Sequence, residues 1–168
     1  MLKKLARVRV PLGFVLGALV LGLADPTRRT LAVGAAIALA GELLRIWAAG
    51  HLEKGREVTA SGPYAWTRHP LYLGSTIIGV GLAIGGGTIL VAAIVLGYLA
   101  ITLTAAIRTE EAHLTDKFGA AYPDYRAGRT SVKRCFSLER VIRNREYRAA
   151  LGVLLVLALL FWKASSAT

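Results

Sequence analysis

The sequence holds a single cysteine, Cys135, so no intrachain disulfide can form and no metal site can be built from paired cysteines. Charge is scarce as well. Only 18% of the 168 residues are charged, against about 25% in an ordinary soluble domain, which argues against a cytosolic globule. Acidic residues are few, 10 against 21 Lys and Arg, leaving a formal net charge of +11. A Gly-x-Gly-x-x-Gly turn after a predicted strand is missing, and with it the fingerprint of a soluble Rossmann domain. Apolar side chains dominate: 55% of residues are hydrophobic and the mean hydropathy is +0.53. They fall in blocks separated by basic segments, the pattern of a chain that crosses a bilayer. A basic face for nucleic acid would instead gather its charges on one folded surface, so no nucleic-acid partner is expected.

Five apolar segments can be read. Val10 to Ala24 follows Lys3, Lys4, Arg7 and Arg9. Although that order resembles a signal peptide, Asp25-Pro26-Thr27-Arg28-Arg29 leads straight into another apolar block, so we read an uncleaved first span. Thr30 to Ala49 has the length a helix needs to cross about 30 Å of hydrocarbon. It carries Glu42 and Arg45 one helical turn apart, where they can pair with each other instead of facing lipid. Leu71 to Ile84 stops at Gly85-Gly86-Gly87, and Thr88 to Ile107 follows at once, which predicts an antiparallel helical hairpin. Ala149 to Trp162 has only about 14 residues, short for an ordinary span and close to the size of a re-entrant or interfacial helix, so the sequence leaves open whether it crosses the membrane. The Gly13-x3-Gly17 and Gly81-x3-Gly85 spacings suit close helix approach but arise often in Gly-rich chains. Trp47, Trp66 and Trp162 read as interface anchors. The expectation is a single all-α integral membrane domain over residues 1–168, with four to five transmembrane helices.

Basic residues are unevenly shared among the connections. The N-terminus has four, Ala49 to His69 has Lys54, Arg56 and Arg68, and Arg108 to Arg148 has ten, whereas the Ala24 to Thr30 turn has two and the Gly85 turn none. The positive-inside rule therefore places the N-terminus and both long loops in the cytoplasm, in the inner membrane if the source is bacterial. The stretch from Arg126 to Arg148 either holds an anionic leaflet or serves only to fix topology.

Nearly every residue able to bind a polar ligand lies in those two loops. In the first, Gly62-Pro63 signals a turn, and Pro70 is suited to open the third span, leaving a helix N-terminus free to face an anion. Arg68, His69, Tyr64 and Tyr72 either form a pocket there or simply mark the membrane interface. In the second loop, Ile107, Glu111, Leu114 and Phe118 fall at helical spacing, continuing the fourth span until Gly119 ends it. Glu110 and Glu111 point about 100° apart on a helix, so at most one enters a shared pocket.

Gly62-Pro63-Tyr64-x3-Arg68-His69-Pro70-x-Tyr72-x-Gly74, then a helical hairpin, then Glu110-Glu111-x2-Leu114-x3-Phe118-Gly119-x2-Tyr122-x2-Tyr125, resembles the isoprenylcysteine carboxyl methyltransferase family and its phospholipid methyltransferase relatives. The likeness covers roughly residues 40–126. It implies an integral membrane enzyme that uses S-adenosylmethionine, releases S-adenosylhomocysteine and takes a lipophilic small-molecule or lipid acceptor. By position it implies cofactor contacts from Arg56, Glu57, Val58, Thr59, Tyr64, Arg68, His69, Pro70, Leu71, Tyr72 and Glu110. Glu110, His69 and Arg108 are the candidates for direct roles in transfer. Eukaryotic members place a substrate-associated arginine where this chain has Ala106, and Arg108 is nearby but on another helical face. The residue types suit the cofactor: a sulfonium wants a carboxylate or a π-face, its carboxylate tail wants donors, and its adenine wants an apolar slot. Phospholipid N-methylation is the near alternative. A non-catalytic membrane protein binding anionic lipid or a partner subunit is the alternative of another class.

Overall fold

The computed structural model describes residues 13, 15–119, 125, 127 and 134–166. The N-terminal basic residues, the start of the first span, Tyr122 and Arg126 lie outside the described residues. A leading helical segment, residues 15–23, is followed by α1 (Arg28–His51), a 3-10 turn (Gly62–Ala65), α2 (Pro70–Gly85), α3 (Ile89–Phe118), a short α4 (Leu138–Arg143) and α5 (Tyr147–Ser166). Among the described residues there is no strand, and α1, α3 and α5 are long and apolar enough to cross a membrane, with α2 a shorter apolar helix.

Local chemistry sets the ends of these helices. Thr27 caps α1 in a reciprocal pair with Thr30, supplying partners to backbone N–H groups that the helix itself cannot satisfy. Thr88 does the same for α3 by accepting from the Val91 N–H at 3.2 Å. Pro70 is the first residue of α2, where its missing N–H costs nothing. Gly119 closes α3 at φ +51°. The turn at residues 24–27 meets the glycine turn between α2 and α3, with the Asp25 N–H donating to the Gly86 carbonyl at 2.8 Å. Both short connections therefore share one end of the bundle, and the long connections share the other.

Helices α1 and α2 approach until their backbones touch. A Cβ on Gly41 would stand 2.8 Å from the Gly74 carbonyl oxygen, and one on Gly81 would stand 2.5 Å from the Ala38 nitrogen, so only small residues fit along this seam. The Gly81-x3-Gly85 spacing therefore belongs to a packing seam whose other side is Gly34, Ala38 and Gly41. Gly17, by contrast, faces open space.

The last apolar block is longer than its sequence suggests. α5 takes in Tyr147, Arg148 and Lys163 and runs for 20 residues, or about 30 Å at 1.5 Å per residue. At the long-loop end Glu146, just before α5, accepts from Arg45 Nε at 2.6 Å. At the turn end Lys163 Nζ donates to the carbonyls of Leu21 and Gly22 at 2.9 and 2.7 Å. α5 thus runs the depth of the bundle and is long and apolar enough to cross a membrane, where the sequence left spanning and interfacial placement both open. Counting apolar residues alone undervalued it because long cationic side chains at a helix end reach polar partners while their stems stay among apolar neighbours. Leu160 of α5 packs with Ala24, Leu31 and Val91 in the core at the turn end.

The Glu42–Arg45 pair is present at 3.8 Å but is the weaker part of a larger cluster. Arg45 also donates to Ser75 Oγ and, at 3.4 Å, to the Leu71 carbonyl. One guanidinium thereby joins α1, α2 and the start of α5.

Candidate active site

The long-loop end is built around the C-terminus of α1. His51 is buried and its Nδ1 lies 3.1 Å from Ser61 Oγ. Gly62, at φ +59°, carries no Cβ because one would stand 2.6 Å from the His51 ring. The intervening segment folds back through Thr59 Oγ1, which accepts from the Glu53 N–H at 3.2 Å. α4 and the residues before it clamp this turn. Ser137 N–H donates to the Gly50 carbonyl at 3.1 Å, Arg140 Nε donates to the same carbonyl at 2.6 Å, and Asn144 Nδ2 reaches the carbonyls of Ala49 and Leu52. Glu53 meets Arg134, Arg140 and Arg143 at 3.2, 3.8 and 2.8 Å, while Arg134 also pairs with Glu57 at 2.8 Å. Three of the basic residues expected to face lipid or fix topology are therefore spent holding the first loop.

Opposite this turn stands the C-terminal part of α3. At 30 residues, or about 45 Å at 1.5 Å per residue, α3 outruns the hydrocarbon thickness of about 30 Å. Its last turns face the first loop across a cavity of about 530 Å³. Glu53, Lys54, Glu57, Val58, Thr59, Tyr64, Arg68 and Leu71 line it from the first loop and α2. Thr102, Ala105, Ala106, Thr109, Glu110, His113, Leu114, Lys117 and Phe118 line it from α3. Tyr125 closes one side, its hydroxyl donating to the Tyr64 carbonyl at 2.7 Å, and it packs with Ala60 against Val58, Leu114 and Phe118. Burial pushes the Tyr64 phenol well above its usual range, and the nearby Glu110 carboxylate adds to the rise.

Of the residues picked out in the sequence, Glu57, Val58, Thr59, Tyr64, Arg68, Leu71 and Glu110 share this cavity. Arg56, His69, Pro70, Tyr72 and Arg108 are not among its lining residues. Arg108 falls roughly 150° or more around α3 from the centre of the lined face, which explains its absence from the lining. His69 is turned to the neighbouring carboxylate: its Nε2 lies 3.1 Å from Glu111 Oε1, and Arg68 reaches the same oxygen at 3.4 Å. The two adjacent glutamates divide their tasks, with Glu110 lining the cavity and Glu111 tying α3 to the residues before α2. Tyr72 stacks obliquely on His69 with ring centroids 5.7 Å apart.

His113, Lys117 and Thr109 were not chosen from the sequence, yet all three line the cavity. A period signal was available, because Thr102, Ala106, Thr109, Glu110, His113 and Lys117 recur at three- and four-residue steps on one helix face. What hid them was that this face is polar and apolar in alternation, so no hydrophobic stripe marks it.

Residues 32–121, more than half of the chain, match the family model described as PEMT, phospholipid methyltransferase. No curated protein and no solved structure matches the chain.

Proposed function

The chain belongs to the phospholipid methyltransferase family, and from that premise we propose an integral membrane S-adenosylmethionine-dependent methyltransferase acting on a small lipophilic carboxylate, thiol or amine. The observation that carries this reading is the 530 Å³ cavity, because its lining supplies each kind of group the cofactor needs. The carboxylate of Glu110 and the ring of Tyr64 suit a cation. Arg68, Lys54 and Lys117 suit its carboxylate tail, and Leu52, Val58, Leu114 and Phe118 form an apolar wall for adenine.

When bound there, the cofactor supplies a methyl group on a positively charged sulfur and becomes neutral S-adenosylhomocysteine on transfer. The work left to the protein is positioning and exclusion of water. Tyr64 lines the cavity with its ring. Glu110 stands against positive charge. A carboxylate acceptor needs no base. For an amine or thiol, His113 lines the cavity and is the group placed to take the proton, since His69 is engaged with Glu111.

We read the two long connections as cytoplasmic, where the water-soluble cofactor arrives, with the acceptor entering from the bilayer. Phospholipid N-methylation remains the second reading, favoured by the family description itself. Incubation of the purified protein with methyl-labelled cofactor and a total lipid extract separates the two. A base-labile methyl ester supports carboxyl methylation and a base-stable N-methyl lipid supports the second reading. Absence of label from every lipid fraction would overturn both.

A further inference from the structure

The short helix α4 turns one side to the protein and leaves another bare. On the inner side Val141 is buried, Arg140 Nε donates to the Gly50 carbonyl, and Arg143 Nη2 lies 2.8 Å from Glu53 Oε1. Glu53 lines the cavity between the first loop and α3, as does Glu57, which Arg134 reaches from the residues before α4. On the outer side Leu138 and Ile142, one helical turn apart, are 63% and 58% exposed. That side lies at the membrane boundary. α5, long and apolar enough to cross a bilayer, begins just after α4. The turn between them is tight, with the Glu146 N–H returning to the Val141 carbonyl at 3.1 Å, so α4 is held at the level of the lipid headgroups. Charge there is of one sign. With Arg134, Arg140 and Arg143 engaged by Glu53 and Glu57, the exposed Arg145 and Arg148 are left with no carboxylate within ion-pair distance among the described residues. Glu139, the exposed carboxylate of α4, faces Arg143 at 3.8 Å. Arg145 stands at φ +59°, the one positive φ outside glycine among the described residues. Glycine would adopt that conformation without strain, yet a cation occupies it.

We infer that the outer side of α4, together with Arg145 and Arg148, is a docking surface for an anionic lipid leaflet, and that its occupancy steadies the first-loop wall of the candidate cofactor cavity. Leu138 and Ile142 enter the acyl boundary while the two guanidiniums meet lipid phosphates. A helix of six residues does not persist alone in water, so these side chains form one array only while α4 is folded against Gly50 and Glu53. Lipid that binds the array therefore stabilises the docked form, and with it the contacts to Glu53 and Glu57. The lipid contact is independent of the reaction, whereas its effect on the cofactor rests on the methyltransferase reading.

The test compares the full chain in phosphatidylcholine nanodiscs with and without phosphatidylglycerol. Amide hydrogen exchange over residues 134–146 and 53–59 is expected to slow by about fivefold or more when the anionic lipid is present, and S-adenosylhomocysteine to bind more tightly by a similar factor. Arg145→Gly combined with Arg148→Gln removes both charges while relieving the backbone at position 145. It is expected to abolish both responses to phosphatidylglycerol in a protein that stays folded. Equal exchange in the two nanodiscs, or a response that survives the double substitution, overturns the docking surface. A response confined to residues 134–146, or equal S-adenosylhomocysteine affinity in the two nanodiscs, overturns its link to the cavity. Slowed exchange in both segments with no S-adenosylhomocysteine binding in either nanodisc leaves the lipid surface standing and sinks the methyltransferase reading. Binding of equal affinity with unresponsive exchange sinks the lipid surface alone.

Discussion

Arg45 shows how one side chain can hold three parts of this chain together. It sits at 18% side-chain exposure between two carboxylates, Glu146 at 2.6 Å and Glu42 at 3.8 Å, each less than a tenth exposed. Removing the cation leaves both carboxylates buried without a countercharge, so Arg45→Ala is expected to cost about 3–5 kcal/mol. Thermal unfolding in detergent checks this, and Glu146→Gln should cost distinctly less because it removes a charge instead of stranding one. The i,i+3 half of the cluster was legible in the sequence, whereas Glu146 lies 101 positions from Arg45 and no local pattern could join them. Tyr64 gives a pH prediction. Its pKa is raised on folding, so its contribution to stability is complete below the usual tyrosine value of about 10 and is lost as pH climbs beyond it. Tyr64→Phe should flatten the alkaline side of a Tm-against-pH curve, and an unchanged alkaline limb would contradict the burial argument.

At the level of helices, the governing contact is the glycine seam between α1 and α2. Gly81→Val forces a branched side chain against the backbone at Ala38 and should destabilise by about 1–3 kcal/mol or more. Gly97→Ala on α3, where a Cβ meets nothing within 4 Å, should be neutral or gain up to about 1 kcal/mol from helix propensity. Measuring both Tm values side by side distinguishes close packing from a general intolerance of glycine replacement. The hairpin between α2 and α3 and the end of α3 at Gly119 were legible because glycine and periodicity mark them directly. The length of α5 was not, since its terminal turns hold tyrosine, arginine and lysine that look like flanks until the bond from Lys163 to the Leu21 and Gly22 carbonyls, and that from Arg45 to Glu146 just before the helix, are known. The seam itself was half legible: the glycine spacing on α2 is visible in the sequence, but its complement on α1 mixes glycine with alanine at Ala38. In the candidate site, the loop residues before α2 could be named from motif order. The lining of α3 at His113 and Lys117 could not, because which face of a helix meets a loop depends on packing that the sequence does not display.

For the molecule as a whole, α5 closes the bundle from end to end, with Leu160 at 2% exposure among Ala24, Leu31 and Val91. Leu160→Ala should therefore cost about 2–5 kcal/mol, a loss that a merely interfacial helix would not register. Topology has an equally direct test, because the only cysteine in the sequence, Cys135, is exposed at the long-loop end. A membrane-impermeant maleimide should label inverted vesicles and spare right-side-out ones, and the reverse pattern would invert the proposed orientation. The account as a whole depends on a cofactor held between the first loop and the far end of α3. Calorimetric titration of the purified protein with S-adenosylhomocysteine should give saturable binding that Glu110→Ala weakens by about tenfold or more and that Glu139→Ala, at an exposed position of α4, leaves unchanged. An absence of binding to a folded, monodisperse preparation, or equal affinity in the Glu110→Ala variant, would contradict it.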